Sequence, residues 1–223
     1  MPVRRPSNRG GNTIGWFASY RMRRSVAYES LLECDYLWLL DFEEDVAAFE
    51  EQPLTIPYTH EGKTHRYTPD FHVRQAGQDL LVECKPLALV DSEDNRRKFA
   101  AAEAWCPAHG YQFRVMTERE IRGGFRLENV KFLTQFARRP VAPEARAQVL
   151  ATLAAAIGPT TLGGLAEALA RDKPAASPFP VILHLAYHHE IIIPLDDAKV
   201  SRQTAVWLPV HQRPHAEGRG RHG

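Results

Sequence analysis

The sequence is poor in cysteine, and its few cysteines are not spaced as pairs. The 223 residues include three, Cys34, Cys84 and Cys106, and no CxxC motif. Neither a cysteine-based zinc site nor a disulfide framework is expected from this set. Unpaired cysteines are typical of a reducing compartment, so we expect a cytoplasmic protein.

Long apolar runs are also missing. No stretch approaches the roughly 20 consecutive apolar residues that cross a bilayer, so we expect no membrane association. The basic N-terminus is not followed by the hydrophobic segment of a secretory signal. The composition, 44% hydrophobic and 25% charged, is that of an ordinary globular protein. The length suits two small domains.

The net charge is only +1, but the charges are unevenly distributed. Residues 1–24 contain six arginines and no acid, whereas residues 41–51 contain six acids and no base. Basic termini indicate affinity for nucleic acid, although a solvated, disordered tail explains them equally well. We expect a flexible basic arm over residues 1–24 and a disordered basic tail over residues 211–223.

The spacing of apolar residues predicts an α/β domain over residues 25–125. Apolar residues recur at helical spacing from Ser25 onward. Glu29 and Glu33 then lie four residues apart on one helix face. A second helix, over residues 91–106, makes the last pair of strands parallel, so the sheet is mixed and flanked by helices. Strands are predicted at 52–58, 65–73, 80–86 and 111–117.

Residues 126–210 predict a second, smaller α+β domain. Three helical segments precede two strands around a turn at Asp196 and Asp197, which is typical of a winged helix. The third helix, PFPVILHLAYHHE, has no Arg, Lys, Asn or Gln to read base edges. This favours packing or a protein partner over sequence readout. The helical segments are residues 143–157, 161–171 and 178–189.

Charged residues stand where strands normally carry apolar side chains in RYTPDFHVRQAGQDLLVECKP, residues 66–86. Glu83 and Lys85 are two residues apart, so their side chains share one face of a strand. Pro69 lacks a ladder donor and predicts a bend or an edge at Asp70. These charges are either solvated outward positions or the ligands of a metal.

The metal hypothesis requires Asp70 to face the same way as Glu83. The two carboxylates are then suited to Mg²⁺, which prefers oxygen ligands, and Glu33 from the preceding helix completes the acidic cluster. Lys85 beside them orients or deprotonates a water molecule, or stabilises charge on a phosphate oxygen. Such a set suits metal-assisted hydrolysis of phosphodiesters.

These motifs together resemble the TnsA endonuclease subunit of heteromeric transposases, within the PD-(D/E)xK nuclease superfamily. The similar run is LLECDYLWLLDFEEDVAAFEEQPLTIPY, followed by YTPDF and VECKP. The resemblance implies a restriction-endonuclease-like fold, with Glu33, Asp70 and Glu83 as carboxylates and Lys85 as the catalytic lysine. We expect two Mg²⁺ ions, replaceable by Mn²⁺, with the backbone carbonyl of Cys84 as a further ligand.

The resemblance also implies a function and partners. The chain is expected to hydrolyse phosphodiesters at the 5′ ends of a transposon during excision. The implied partners are double-stranded DNA at the transposon ends, the DDE-type transposase TnsB and the AAA+ regulator TnsC. Two alternatives stay open: a stand-alone restriction, repair or defence nuclease of the same fold, and a non-catalytic adaptor that binds DNA and a regulator.

Other polar residues have plainer interpretations. Glu29 is the rival for the helical acid, but the spacing from Glu33 to Gln52 matches the family pattern and favours Glu33. We expect a structural role for Gln52. His184 and His188 have the spacing of a helical metal pair, but no HExxH motif is present, so a core or surface role is expected.

Overall fold

The computed structural model describes residues 13–172 and 177–209. The chain divides into two compact units between Leu127 and Glu128. The helices of the first unit are α1 (Leu31–Phe42), α2 (Leu87–Val90), α3 (Glu93–Trp105) and α4 (Glu118–Ile121), and α5 (Arg126–Thr134) begins at its end. The strands of the first unit are β1 (Gly15–Ala18), β2 (Ser25–Tyr28), β3 (Val46–Glu51), β4 (Ile56–His60), β5 (Lys63–Tyr67), β6 (Phe71–Gln75), β7 (Gln78–Cys84) and β8 (Gln112–Met116).

The central sheet has the strand order β3-β6-β7-β8. Its pairs are antiparallel except for β7 and β8, which are parallel because α3 carries the chain across between them. Leu80, Leu81 and Val82 make the middle of β7 fully apolar and buried. The predicted mixed sheet flanked by helices is confirmed.

Two tight hairpins shape the first unit. β4 pairs with β5 as a separate two-stranded sheet, and β6 pairs with β7 inside the central sheet. Each turn has two residues with positive φ, and the second is a glycine: Gly62 at 71° and Gly77 at 77°. Such turns match the twist of the strands that they join, and glycine tolerates this conformation without strain.

The predicted strand boundaries are partly wrong. β3 lies in the acid-rich stretch 41–51, where no strand was predicted, because Val46 and Phe49 are buried in the core. The strand predicted at 52–58 begins later, at Ile56, and belongs to the β4–β5 hairpin. The strand predicted at 65–73 is interrupted around Pro69 and divides into β5 and β6.

The expected flexible arm is wrong for residues 13–24. β1 pairs with β2 in a hairpin, and the ring of Phe17 packs edge-on against Trp38 at 5.0 Å. Burial of an aromatic side chain holds this segment to the core. The expected arm over residues 1–12 and the expected tail over 211–223 lie outside the described residues.

The first helix begins later than predicted. Residues 25–28 form β2, and α1 starts at Leu31 after the N-cap residue Ser30, whose hydroxyl accepts the backbone N–H of Glu33 at 3.1 Å. Glu29 therefore precedes the helix and does not share a helix face with Glu33. The N-cap at Ser30 sets the first residue of α1, because the spacing of apolar residues is the same before and after this position.

The described residues of the second unit include most of α5 and three further helices, α6 (Pro143–Ala154), α7 (Leu162–Asp172) and α8 (Phe179–Tyr187). They also include two short strands that pair antiparallel, β9 (Thr160–Thr161) and β10 (Ala205–Val206). Its core includes Leu162, Leu165, Ile182 and Leu185. No helix in the described part of the chain is long and apolar enough to cross a membrane.

The hairpin predicted near the end of the second unit is wrong in its first strand. Of the residues described there, Ile192 forms only an isolated bridge with Trp207. The side chain of Asn129 occupies the following loop: Nδ2 donates to the carbonyls of Leu195 and Ala198 at 2.8 Å each. These carbonyls are satisfied by a side chain, so the loop needs no strand partner.

Candidate active site

The chain bends between β5 and β6, at Thr68, Pro69 and Asp70. The backbone N–H of Gln52 donates to the carbonyl of Asp70 at 2.8 Å. On the other side, the backbone N–H of Cys84 donates to Oδ2 of Asp70, also at 2.8 Å. The predicted bend is confirmed, and these two contacts hold the carboxylate of Asp70 at the end of β7.

A polar cleft of about 450 Å³ opens at this bend. Residues from α1, the β4–β5 hairpin, β7 and α3 line it, so the elements of the first unit converge there. The structure thus places Asp70, Glu83, Lys85 and Glu33 around one cavity. The lining residues are Glu29, Glu33, Thr55, Arg66, Tyr67, Thr68, Asp70, Glu83, Lys85 and Lys98.

Glu83 is held by both of its carboxylate oxygens. Its Oε1 lies 2.7 Å from Nζ of Lys85, and its Oε2 accepts the phenol hydrogen of Tyr67 at 2.8 Å. The residue is only 4% exposed. A buried carboxylate with two fixed partners has a defined orientation, and Glu83 keeps this orientation at the wall of the cleft.

Lys85 is a cation in this site. Burial by itself lowers the pKa of Lys85, but the carboxylates of Glu83, Asp70 and Glu33 outweigh burial, and the pKa is raised above its ordinary value. The ammonium group therefore stays protonated at neutral pH. It is suited to donate hydrogen bonds rather than to remove a proton.

The surroundings of Asp70 and Glu33 in the cleft oppose ionisation of both carboxyl groups. Burial raises the pKa of Asp70 well above its ordinary value, and the charges of Glu83 and Glu33 raise it further, against smaller opposing effects of Lys85 and the Cys84 N–H. Burial likewise raises the pKa of Glu33. Groups perturbed in this way are typical of functional sites.

Glu33 reaches the cleft from the first turn of α1. It is 8% exposed, and its Oε2 accepts the backbone N–H of Glu29 at 2.7 Å. Glu29 lines the cleft as well, and its Oε1 accepts Nε2 of Gln52 at 3.0 Å. The two rival acids therefore stand side by side, linked through the backbone of Glu29.

Gln52 is more central than its sequence position indicates. Its backbone φ is 45°, an uncommon value for a residue other than glycine. Its backbone binds Asp70 and its side chain binds Glu29, so it connects the bend to the start of α1. Among the described residues its Oε1 is buried without a hydrogen-bond partner. The structural role predicted for Gln52 agrees with these contacts.

The acidic cluster is not a finished metal site of side chains. Among residues 13–172 and 177–209, no group of three or more His, Cys, Asp or Glu side chains is arranged to hold a metal ion as it stands. This finding concerns side chains alone. A site of two carboxylates completed by a backbone carbonyl and water needs no third side chain.

Several cleft residues could not be recognised from the sequence. Tyr67 has the pattern of a core aromatic, and only the folded chain shows that its hydroxyl reaches Glu83. Lys98 comes from α3, and no spacing rule connects it with Asp70. Arg66 stands on β5, and Thr55 directly precedes β4, in a hairpin that was not predicted as a separate sheet.

His184 and His188 of the second unit have structural contacts. A ring nitrogen of His184 is 2.9 Å from the carbonyl of Phe136, and one of His188 is 3.0 Å from that of Ala137. Burial lowers the pKa of His188. Rings that bind backbone carbonyls agree with the expected core or surface role.

Comparison with known proteins gives one family match. Residues 43–118 match the family model described as the TnsA-like endonuclease N-terminal domain. The match includes Asp70, Glu83 and Lys85, begins after Glu33, and ends before the second unit. The comparison with curated proteins returned no match. The resemblance inferred from the sequence is confirmed over the matched stretch.

Proposed function

We propose that this chain is a metal-dependent DNA endonuclease subunit of a TnsA/TnsB/TnsC-type transposase. The match of residues 43–118 to the TnsA-like endonuclease N-terminal model supports the proposal. The proposed reaction is hydrolysis of phosphodiesters at the 5′ ends of the transposon during excision. The observation that carries the proposal is that Asp70, Glu83 and Lys85, all inside the matched stretch, line one cleft.

The donor set of the cleft suits a hard divalent cation. Asp70 and Glu83 supply carboxylate oxygens, and a cation between them would offset the repulsion that raises the pKa of Asp70. The backbone N–H of Cys84 points to Asp70, and the carbonyl of a strand residue lies on the same strand edge as its N–H, so this carbonyl is a further proposed ligand. Glu33 assists as the third carboxylate. When bound, Mg²⁺ lowers the pKa of a water molecule and offsets phosphate charge.

The protein side chains have separate proposed tasks. Lys85, protonated and 2.7 Å from Glu83, donates to the attacking water or to a phosphate oxygen. Its raised pKa supports these tasks over proton removal. Tyr67 keeps the carboxylate of Glu83 in place. We propose two Mg²⁺ ions, replaceable by Mn²⁺, as the full complement.

The partners belong to the same proposal. Double-stranded DNA at the transposon ends is the substrate, the DDE-type transposase TnsB acts beside this chain, and the AAA+ regulator TnsC is engaged by its C-terminal region. Residues 126–210 form a winged-helix-like domain in this proposal, and the chain works in the cytoplasm. The absence of a base-reading residue from the PFPVILHLAYHHE segment supports end recognition by the transposase.

Reconstitution with the transposase subunits tests this function. We expect Asp70→Ala to lower 5′-end cleavage by at least about 10²-fold, because the carboxylate that defines the site is lost. Asp79→Ala removes an acid at the opposite end of β7 and serves as the matched control with near-normal cleavage. Equal cleavage by wild type and Asp70→Ala would sink the assignment.

Two further measurements separate the alternatives. Efficient cleavage by the chain alone of duplexes that lack transposon ends would indicate a stand-alone nuclease. Calorimetry that detects no Mg²⁺ or Mn²⁺ binding, together with intact binding of DNA, would indicate a non-catalytic adaptor.

A further inference from the structure

The β4–β5 hairpin has two different faces. Strand residues alternate between faces, and cross-strand partners share a face, as Pro57 and Arg66 do, and Thr59 and Thr64. Five of the six residues on the outward face are exposed, and the sixth, Thr68, is half-buried. We call this surface the hydroxyl face, and it consists of Thr55, Pro57, Thr59, Thr64, Arg66 and Thr68.

The opposite face of the hairpin is committed to the core. Ile56 and Tyr67 are buried in one cluster with Ala102 and Cys106, and Tyr58 packs against that cluster. Packing of this face holds the hairpin in place. The hydroxyl face is therefore a fixed, exposed surface rather than a loose ribbon.

The hydroxyl face leads directly into the cleft. Thr55, Arg66 and Thr68 line the same cavity as the carboxylates. The hydroxyls of Thr55 and Thr68 are 3.0 Å apart across the base of the hairpin. Threonine hydroxyls thus stand on both sides of the Pro57–Arg66 pair, at the base of the hairpin and near its tip, and the face carries no acid that would repel an anion.

Arg66 differs from the other two cations of the cleft. Lys85 is paired with Glu83, and Lys98 is paired with Asp94 of α3. Within residues 13–172 and 177–209, the guanidinium of Arg66 has no ion pair and no side-chain hydrogen bond. It is exposed at the rim of a cavity whose carboxylates would repel a phosphate.

We propose that the hydroxyl face is the surface along which the DNA backbone reaches the carboxylates, with Arg66 as the phosphate anchor beside the cut. The proposal rests on the proposed function and adds the route of the substrate. Threonine hydroxyls and arginine are regular donors to phosphate oxygens, and they position DNA without reading its sequence. Arg66 also offsets the repulsion between the phosphate and the acidic cluster.

Fluorescence anisotropy with the full chain tests the anchor. The probe is a short fluorescein-labelled duplex, with Ca²⁺ in place of Mg²⁺. We expect Arg66→Ala to weaken binding about tenfold, as for the loss of a charged hydrogen bond, and to reduce the salt slope by about 1. Arg66→Lys keeps most of the slope. The matched control is Arg96→Ala, since Arg96 is exposed on α3 outside the cleft.

A second pair of variants tests the hydroxyl face while Arg66 is left unchanged. Thr59→Glu places a carboxylate on the exposed hydroxyl face and should weaken binding several-fold, about as much as one phosphate contact contributes. Gln78→Glu adds the same charge at the start of β7 and should leave binding near normal. Equal affinities within each pair, or no binding by wild type, would overturn the proposal. The proposed function is tested by cleavage with Asp70→Ala, and the DNA route is tested by these binding measurements. Either proposal can therefore fail while the other stands.

Discussion

Two acidic places in the first unit, at Asp41 and at Asp70, surround an aspartate in opposite ways. Asp41 is 5% exposed and accepts hydrogen bonds from the hydroxyl of Ser19 and from the backbone N–H groups of Tyr20 and Arg21. Asp70 instead faces two other carboxylates, Glu83 and Glu33. Asp41 is buried and Asp70 is half-buried, so it is their partners that distinguish a structural acid from a proposed catalytic one.

The two aspartates differ in whether the carboxylate raises or lowers the free energy of unfolding. Donors around Asp41 satisfy its charge, so the carboxylate helps to hold the β1–β2 region against α1. In the cleft, like charges and desolvation oppose ionisation, so a metal-free folded state that keeps Asp70 ionised is less stable. A bound cation would remove this loss of stability, which agrees with the proposed cation site.

The largest expected effect compares the two lysines of the cleft. Lys85→Ala removes the ammonium that contacts Glu83, and cleavage should fall by about 10²–10³-fold, as when a preorganised donor is lost. Lys98→Ala removes an ammonium already paired with Asp94 and should have a much smaller effect. Single-turnover cleavage in the reconstituted system measures both. Similar losses in the two variants would contradict the special role of Lys85.

The next effect concerns the structural acid. Asp41→Ala leaves the hydroxyl of Ser19 and two backbone N–H groups without their acceptor, and should lower the free energy of unfolding by about 2–3 kcal/mol. Asp45→Ala, at an exposed acid with a side-chain contact to Gln75, should change it by less than about 0.5 kcal/mol. Urea unfolding followed by circular dichroism provides both values. If the free energy of unfolding changes by the same small amount in both variants, Asp41 is not a structural acid in this sense.

The smallest effect has the opposite sign and depends on pH. The pKa of Asp70 is raised in the folded state, so stability of the metal-free protein falls as pH rises from the unfolded pKa of about 4 toward the folded pKa. Asp70→Asn cannot ionise, and its Tm in chelator should exceed that of wild type by roughly 2–4 °C at neutral pH, about 1 kcal/mol for a chain of this size. Thermal scans from pH 4 to 8 measure the difference.

Asp79 supplies the control for this prediction. Hydrogen bonds from His72 and Arg74 lower the pKa of Asp79, so its ionised form stabilises the fold above the unfolded pKa. Asp79→Asn should therefore lower Tm slightly at neutral pH. If both variants shift Tm in the same direction, the cleft does not differ from the surface in the proposed way. Added Mg²⁺ should also raise the Tm of wild type more than that of Asp70→Asn.

Local patterns were sufficient for part of the site. Glu83 and Lys85 share a strand face because side chains alternate with a period of two, and Pro69 interrupts a strand because it lacks an N–H. Both statements depend on near neighbours alone. The mixed sheet followed from the same patterns and from the helix between its last two strands.

Patterns failed where distant segments compete. The acid-rich stretch 41–51 has the composition of a surface segment, yet Val46 and Phe49 make β3 an edge strand of the sheet. The basic arm was expected to be flexible, yet Phe17 packs against Trp38, and Asp41 accepts a hydrogen bond from the backbone N–H of Tyr20. In both cases burial against another segment overrides the local charge pattern.

The sequence by itself determined which chemical groups stand at positions 70, 83 and 85, and that two of them share a strand face. Only the tertiary structure decided that Asp70 turns toward Glu83, that Glu33 enters from α1, and that Arg66 stands at the rim. The reason is physical. Alternation along a strand is set by bonds between neighbours, whereas convergence depends on cross-strand register, on the cap at Ser30 and on the contacts of Gln52 with Asp70 and Glu29.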